Sequence, residues 1–186
     1  QGRDCTTGEC AEILADVLAR KCGDTDSPPV RLGEGESVAS LAEQGSKMLK
    51  VVIGSTNPEE EVVAVAVPFS VPLIDASGVR LDKPLIGEFD LVVRGPDGAR
   101  TIVDWKTSAR RWPEGKAATD LQPTCYLWAE RQSGNPDSRF RFEVVTKTKS
   151  PVCERHPANR NPEDFVRLGE VVRVLERIVA NECFHP

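Results

Sequence analysis

Two apolar, β-branched runs separated by a turn dominate the middle of the chain. The first run is Ile86–Arg94, the second is Thr101–Lys106, and the connection between them is rich in glycine, proline and aspartate. Runs of this kind on either side of a turn sequence are typical of a β-hairpin. Because side chains alternate between the two faces of a strand, the hairpin determines which of its residues can meet.

Acidic side chains meet across this predicted hairpin. If the turn is centred near Asp97, the register places Asp90 opposite Asp104, whereas a slip of one residue would separate them. Like charges facing each other destabilise a ladder by roughly 0.2–1 kcal/mol, and such a broken rule usually marks function. A divalent cation with hard oxygen ligands would make the pair favourable. With Lys106 on the same face as Asp104, the pair predicts a phosphodiester-hydrolysis site. The alternative is a solvated sheet face that happens to carry charges.

Three motifs then follow one another in a fixed order. Gly87–Asp90 matches the pattern G-x-x-D, Asp104–Lys106 matches D-x-K, and Gln122–Tyr126 matches Q-x-x-x-Y. The D-x-K pattern alone has little specificity, but the ordered set resembles the PD-(D/E)XK nuclease superfamily, specifically its RecB-like exonuclease branch. The resemblance spans residues 62–149 and, more loosely, the whole chain. It implies an α/β restriction-endonuclease-like core of order αβββαβ, with a mixed central sheet flanked by helices.

The resemblance also implies an activity, a metal and a set of partners. The activity is metal-dependent hydrolysis of DNA, as an exonuclease in DNA processing, recombination or repair. Asp90 and Asp104 would bind Mg²⁺ or Mn²⁺, with the backbone carbonyl of Trp105 as a further ligand. Lys106 would position or help to deprotonate the attacking water. The implied partners are DNA, including single-stranded ends, and a helicase or recombination protein.

The third motif lies on a predicted helix. Gln122 and Tyr126 are four residues apart, so they share one face of that helix. The resemblance places both residues against the active site, where they would contact DNA or support the metal ligands. The alternative for Tyr126 is a packed aromatic ring whose hydroxyl group is hydrogen-bonded.

A further acid lies in the first predicted helix, which spans Thr7–Lys21. Thr6 and Glu9 form a capping-box pattern at its start. Relatives often carry a histidine or glutamate in the equivalent helix, and Gly8–Glu12 fits the spacing G-x-x-x-H with a glutamate in the last position. Glu12 is therefore a candidate metal ligand, and the alternative is an exposed helical acid.

One expected acid is absent from the sequence. Relatives often carry an acidic residue just before a segment like Pro68–Ser70, where this chain has Val65–Val67. The absence keeps open a DNA-binding module that has the nuclease fold without turnover. A protein-interaction domain with an incidental Asp-x-Lys hairpin is the third possibility.

Basic residues after the hairpin predict contacts with nucleic acid. A tryptophan surrounded by cations suits a phosphate backbone and a stacked base. The alternatives are a solvated loop in which the tryptophan closes the edge of the core, and a charged strand end. The candidates are Arg110, Arg111, Trp112, Lys116, Lys147 and Lys149.

The net charge of -5 argues against general binding of polyanions, although a local basic patch can suffice for nucleic acid. No apolar run is long enough to span a membrane, and the first residues carry no signal-peptide pattern. Six scattered cysteines without a C-x-x-C pair favour reduced thiols. We therefore expect a cytoplasmic protein, and the resemblance implies a prokaryote or a phage-infected cell as its setting.

Some relatives hold an iron–sulfur cluster with one early cysteine and three grouped near the C-terminus. Cys5 matches the first of these, but Cys153 and Cys183 stand far apart. The sequence therefore argues against a cluster in this chain.

The remaining patterns predict a single domain. It comprises N-terminal helices within residues 7–53, a catalytic sheet within 62–107, the helix 120–131 and a C-terminal helix within 161–183. This order of helices and strands is that of an α/β domain. Phe140–Thr146 alternates in the manner of an edge-side strand. Cys153–His156 is a candidate for half of a metal site, and the favoured alternative is a surface loop.

Overall fold

The computed structural model describes residues 6–24, 28 and 30–183 of the chain. Within them, helices and strands follow the predicted order, with two additions. The elements are α1 (Thr7–Gly23), α2 (Val38–Ser55), β1 (Glu61–Val71), β2 (Leu85–Arg94), β3 (Arg100–Ser108), α3 (Lys116–Thr119), α4 (Gln122–Gln132), β4 (Arg139–Thr146), β5 (Cys153–Pro157) and α5 (Pro162–Ala180).

Three of the helices begin at reciprocal side-chain caps. At α1, the Thr6 hydroxyl accepts the Glu9 N–H at 3.2 Å, and the Glu9 carboxylate accepts the Thr6 N–H at 2.9 Å. Asn161 and Asp164 form the same arrangement at α5, and α2 begins in this way at Ser37. These bonds satisfy N–H groups that a helix leaves without internal partners. The capping box predicted for the first helix is confirmed.

The five strands form one mixed sheet in the order β1-β2-β3-β4-β5. β1, β2 and β3 are successive antiparallel neighbours. A crossover through α3 and α4 then leads from β3 to β4, the connection that parallel neighbours require. β3, which carries Asp104, is the central strand of the sheet. The predicted hairpin of β2 and β3 therefore lies in the middle of the sheet.

Two sequence-based expectations about the last strands are wrong. β4 is an interior strand, and Phe140, Phe142 and Val144 on one of its faces are buried together with residues on the other face. The alternation of residue types along this segment predicted one exposed face, but both faces of β4 are buried. Cys153–His156 begins β5 and does not form a surface loop. The Thr146 N–H donates to the Val152 carbonyl at 3.0 Å, which joins the two strands by a short turn.

The described chain divides into two compact units built from interleaved segments. The first unit comprises the described residues within 1–57, 106–111 and 144–154, and the second comprises those within 58–105, 112–143 and 155–186. In the first, α1 packs on α2, where the Leu14 side chain occupies the space beside Gly45. In the second, α4 packs on β1, β2 and α5. The single-domain organisation expected from the sequence stays a prediction.

Among the described helices, none combines the length and the apolar character needed to cross a bilayer.

Candidate active site

The register of the β2–β3 hairpin brings the two predicted acids face to face. Leu91 pairs with Val103, and one further step along both strands places Asp90 opposite Asp104. The turn is centred on Asp97, as expected, because the Gly95 N–H donates to the Ala99 carbonyl at 3.0 Å. The facing pair predicted from the sequence is therefore present.

Hydrogen bonds hold each of these carboxylates in place. Asp104 is only 1% exposed. Asp90 is half-buried, and its Oδ2 accepts the backbone N–H of Trp105 across the hairpin at 2.9 Å. Because this bond joins a side chain of β2 to the main chain of β3, it fixes the orientation of Asp90 relative to the residue after Asp104.

The face of α4 that bears the third motif contacts Asp104. The Gln122 side-chain amide donates to Asp104 Oδ1 at 2.7 Å and to the Tyr126 hydroxyl oxygen at 2.8 Å. The Gln122 backbone N–H donates to Asp120 Oδ1 at 2.9 Å, which anchors the start of the helix. A neutral amide can orient a carboxylate without cancelling its negative charge. The predicted shared face of Gln122 and Tyr126 is observed.

Tyr126 lies close to both acids. Burial raises the pKa of its phenol above the ordinary value, and the negative charges of Asp104 and Asp90 raise it further, although the bond from Gln122 acts in the opposite direction. Its ring makes edge contacts with three phenylalanine rings at centroid distances of 5.3–5.8 Å. The side chain is therefore a packed aromatic whose hydroxyl group faces the acidic pair.

The glycine of the first motif has a packing role that sequence analysis missed. A Cβ atom added at Gly87 would lie 2.5 Å from the ring of Phe69. Phe69 pairs with Gly87 across β1 and β2, and its ring lies 4.7 Å from that of Phe89. The available signal was a glycine inside an apolar strand, which marks a close approach of neighbouring groups.

Arg160 is a second residue that sequence analysis missed. Its guanidinium donates to Thr124 Oγ1 at 2.7 Å and to the Asp120 carbonyl at 2.5 Å, with a longer bond to the Ala117 carbonyl at 3.4 Å. These bonds tie the end of α3 to the first turn of α4, next to Gln122. No local pattern around Arg160 predicts this, because its partners lie about 40 positions earlier in the chain.

Lys106 and Glu12 belong to the first compact unit. Lys106 is half-buried on β3, two residues after Asp104, so strand alternation places it on the same face as Asp104. Glu12 is exposed on α1. The catalytic role of Lys106 and the metal-binding role of Glu12 stay predictions.

The basic candidates are dispersed over the two units. In the first unit, Arg111 pairs with Glu154 at 3.1 Å, and Arg110 is exposed. The turn between β4 and β5 in the same unit exposes two further cations, Lys147 and Lys149.

Trp112 and Lys116 lie in the second unit. Trp112 is half-buried, with its ring centroid 5.0 Å from that of Phe142 and 5.6 Å from that of His156. The Lys116 ammonium lies 4.2 Å from the same ring. These contacts favour the alternative in which Trp112 closes the edge of the core. The nucleic-acid role of the basic set stays a prediction.

β1 carries a backbone irregularity opposite Asp90. Val65 pairs with Leu91, so the next residue, Ala66, lies opposite Asp90. Ala66 has a φ of 50°, in the left-handed region, which costs a non-glycine residue about 1 kcal/mol. Strained residues of this kind cluster at functional sites. At the position opposite Asp90, β1 is therefore distorted and carries no charged side chain.

The donor set of the site is small and made of oxygen atoms. Among the described residues, no three His, Cys, Asp or Glu side chains are grouped in a way that would hold a metal. Two facing carboxylates and main-chain carbonyls fit a hard cation such as Mg²⁺ or Mn²⁺, which often keeps several waters. Of the cysteines considered for a cluster, Cys153 lies on β5, Cys183 is exposed, and Cys5 lies outside the described residues.

Comparisons with known proteins address the same fold. No curated protein matches the sequence. A structure from Eubacterium rectale described as a "Putative exonuclease" aligns over 100% of this chain and 72% of its own, with a TM-score of 0.52 and 13% identity. The structure of SSO0001 aligns over 74% of this chain and 68% of its own, with a TM-score of 0.42 and 16% identity. The likeness to the Eubacterium rectale structure concerns the fold alone.

A family comparison goes further, because it covers nearly the whole chain. The model of the PD-(D/E)XK nuclease superfamily matches residues 2–185. That range contains the three motifs, including Asp90, Asp104, Lys106, Gln122 and Tyr126. The chain therefore belongs to the PD-(D/E)XK nuclease superfamily.

Proposed function

We propose that this chain is a divalent-metal-dependent deoxyribonuclease of the RecB-like exonuclease type. Family membership supports a nuclease. The observation that supports the proposal at atomic level is the facing pair Asp90 and Asp104, each held by a hydrogen bond from the neighbouring strand or helix. DNA processing, recombination or repair, with a helicase or recombination partner, is the setting that we infer for it.

The proposed ion is Mg²⁺ or Mn²⁺, in keeping with the divalent metals used in this superfamily. Asp90 and Asp104 would hold the ion, with the Trp105 carbonyl as a further ligand. Glu12 is a candidate for an additional ligand. When bound, the ion would polarise a phosphoryl oxygen and lower the pKa of a bound water. The bond from the neutral Gln122 amide to Asp104 keeps one carboxylate oxygen oriented.

The side chains around the acids have distinct proposed roles. The Lys106 ammonium, on the Asp104 face of β3, would orient the attacking water and stabilise negative charge that develops on the phosphate. In hydrolysis, the water oxygen bonds to phosphorus and the bond to the leaving oxygen breaks, with a proton transferred to that oxygen. Gln122 and Tyr126 would hold Asp104 in position throughout.

Two substitutions test the proposal directly. Asp104→Asn and Lys106→Met should each lower the cleavage rate of labelled DNA in Mg²⁺ or Mn²⁺ by about 10²-fold or more. Glu61→Gln is the matched control, since Glu61 is an exposed carboxylate on β1. An inactive wild-type protein, or variants as active as the wild type, would contradict the proposal.

The shape of the substrate tests the exonuclease assignment separately. Linear DNA labelled at either end should release its label progressively, whereas a circular single strand should stay intact. Cleavage of circles at a similar rate would instead establish an endonuclease and leave the chemistry of the site unchanged.

A second candidate is a DNA-binding module of the same fold without turnover. The uncharged, distorted position Ala66 opposite Asp90 favours it, because relatives often carry an acid there. Such a module would bind DNA and leave it intact in Mn²⁺. The cleavage assay with the wild-type protein decides between the two.

A further inference from the structure

A second concave surface lies in the second compact unit. It is a groove of about 340 Å³ between the C-terminal part of α4, the start of β4 and the start of α5. No acidic side chain is among the described residues that line it. The lining residues that matter here are Arg131, Ser138, Arg139, Asn159, Arg160 and Phe165. Three guanidinium groups on one concavity are notable in a chain of net charge -5.

The arginines differ in how free they are to bind a ligand. Arg131 is exposed in the last turn of α4. Arg139 is 62% exposed in its side chain and pairs with Asp97 at 2.6 Å. Exposed ion pairs of this kind contribute little, so the pair can open for a stronger anion. Arg160 is engaged with carbonyls and contributes charge to the groove.

The groove also has an apolar wall. It is formed by the Phe165 ring, whose centroid lies 5.9 Å from the Arg131 guanidinium carbon. Leu127 and Pro136 extend the wall. A ligand that suits this lining carries anionic groups next to flat apolar ones. A single nucleic-acid strand does so, because phosphates alternate with bases that can stack on an aromatic ring.

The groove is separate from the acidic pair. Arg131 is nine residues after Gln122 on α4, so it points about 180° away around the helix and lies about 13 Å further along its axis. A strand in this groove would therefore lie outside the site of the reacting bond. It would add affinity without touching Asp90 or Asp104.

We propose that this arginine groove binds the phosphodiester backbone of a single nucleic-acid strand, at a subsite distinct from the acidic pair. The identity of the ligand rests on the proposed nuclease function. The arginines of β4 and α4 contact phosphates, and the Phe165 wall contacts a base.

Equilibrium binding of a fluorescent oligothymidylate in EDTA tests the groove without any cleavage. The variant Arg131→Gln/Arg139→Gln should bind about tenfold more weakly at low salt, and the slope of log K against log salt should fall by about 1.4, since each contact to a single strand contributes about 0.7. Arg131→Lys/Arg139→Lys should retain most of the affinity. Arg94→Gln is the matched control, because Arg94 is also exposed and paired, with Glu61 at 3.3 Å.

Several results would overturn the proposal. They are an oligonucleotide that the wild type does not bind, a glutamine variant that binds like the wild type or the Arg94 control, and full displacement by an equal concentration of an acidic peptide. Thermal unfolding checks that the variants fold, and Arg131→Gln alone carries the test if the double variant does not. A wild type that binds through the groove but never cleaves would refute only the nuclease function. A nuclease whose groove variant binds normally would refute only the groove.

Discussion

The two ends of the contact between α4 and β3 use a buried carboxylate in opposite ways. At one end, Glu130 of α4 is 1% exposed and receives two bonds from Arg100 of β3, at 2.5 and 3.2 Å. At the other end, Asp104 of β3 is equally buried, and the helix contributes the neutral amide of Gln122. Gln122, Tyr126 and Glu130 are spaced four positions apart, so they lie on one face of α4.

The difference separates a structural contact from a chemical one. A guanidinium that neutralises a buried carboxylate joins two elements and leaves little charge for a ligand. The neutral amide of Gln122 orients Asp104 and adds no positive charge beside Asp90. The Glu130 end should therefore govern stability, and the Gln122 end should govern activity.

The largest effect is expected at the structural end. Glu130→Gln leaves the Arg100 charge without its carboxylate and should lower the free energy of unfolding by about 3 kcal/mol. The rate of cleavage per folded molecule should stay close to that of the wild type. Urea unfolding followed by a cleavage assay measures both. Glu170→Gln, at an exposed position of α5, is the control. A large loss of activity with intact stability would erase the distinction between the ends.

The opposite result is expected at the other end. Gln122→Ala should lower the cleavage rate by about 10–100-fold, the usual effect of losing a group that orients a ligand side chain. Its cost in stability should be only about 1 kcal/mol. Gln132→Ala, on the last turn of the same helix, is the control for helix propensity. Full activity of Gln122→Ala would show that Asp104 needs no support from α4.

An intermediate effect is expected between the ends, where aromatic rings support Tyr126. Gly87→Ala would push Phe69 away and should cost about 1–3 kcal/mol through overpacking. The shift of the urea midpoint at constant slope measures this. Gly54→Ala on α2, with nothing within 4 Å of the added carbon, is the control and should stabilise slightly. An unchanged midpoint for Gly87→Ala would show that Phe69 repacks at no cost.

The smallest effect concerns the proton on Tyr126, the only tyrosine in the sequence. Its raised pKa means that the folded chain holds this proton more tightly than the unfolded chain. Its contribution to stability is therefore complete below about pH 10 and is lost as the pH rises through the folded pKa. Ultraviolet titration of tyrosinate should give a higher midpoint in the folded protein than in urea, and Asp104→Asn should lower the folded midpoint. Equal midpoints in both states would contradict the burial of the phenol, and an unchanged folded midpoint in Asp104→Asn would contradict its proximity to Asp104.

The acidic end of this contact could be predicted from the sequence because it depends on local patterns. A turn centred on Asp97 and strict alternation along two strands are enough to bring Asp90 and Asp104 together. A helical repeat is enough to place Gln122 and Tyr126 on one face. The Glu130–Arg100 bond was not predicted, since it needs the direction in which α4 crosses β3.

The errors have a common cause. Phe140–Thr146 was expected to alternate as an edge-side strand and Cys153–His156 to lie in a loop, because hydrophobic periodicity does not reveal which strands will cover each other. The sequence left two roles for Trp112, stacking on a nucleic-acid base and packing at the edge of the core. Its contacts with Phe142 and His156 favour packing. Each of these outcomes depends on partners distant in the chain.

The sequence alone thus predicts the hairpin, its facing acids, the capped helices and the shared face of Gln122 and Tyr126. Each of these features depends on residues that are close together in the chain. The bonds from Arg160 to α3 and α4 join segments about 40 positions apart, and the arginine groove combines residues 127–139 with residues 158–165. The interior position of β4 likewise depends on β3, from which α3 and α4 separate it in the chain. Their positions follow from how the helices and strands bury apolar surface against one another. That packing is a collective property of the folded chain, and no short stretch of sequence encodes it.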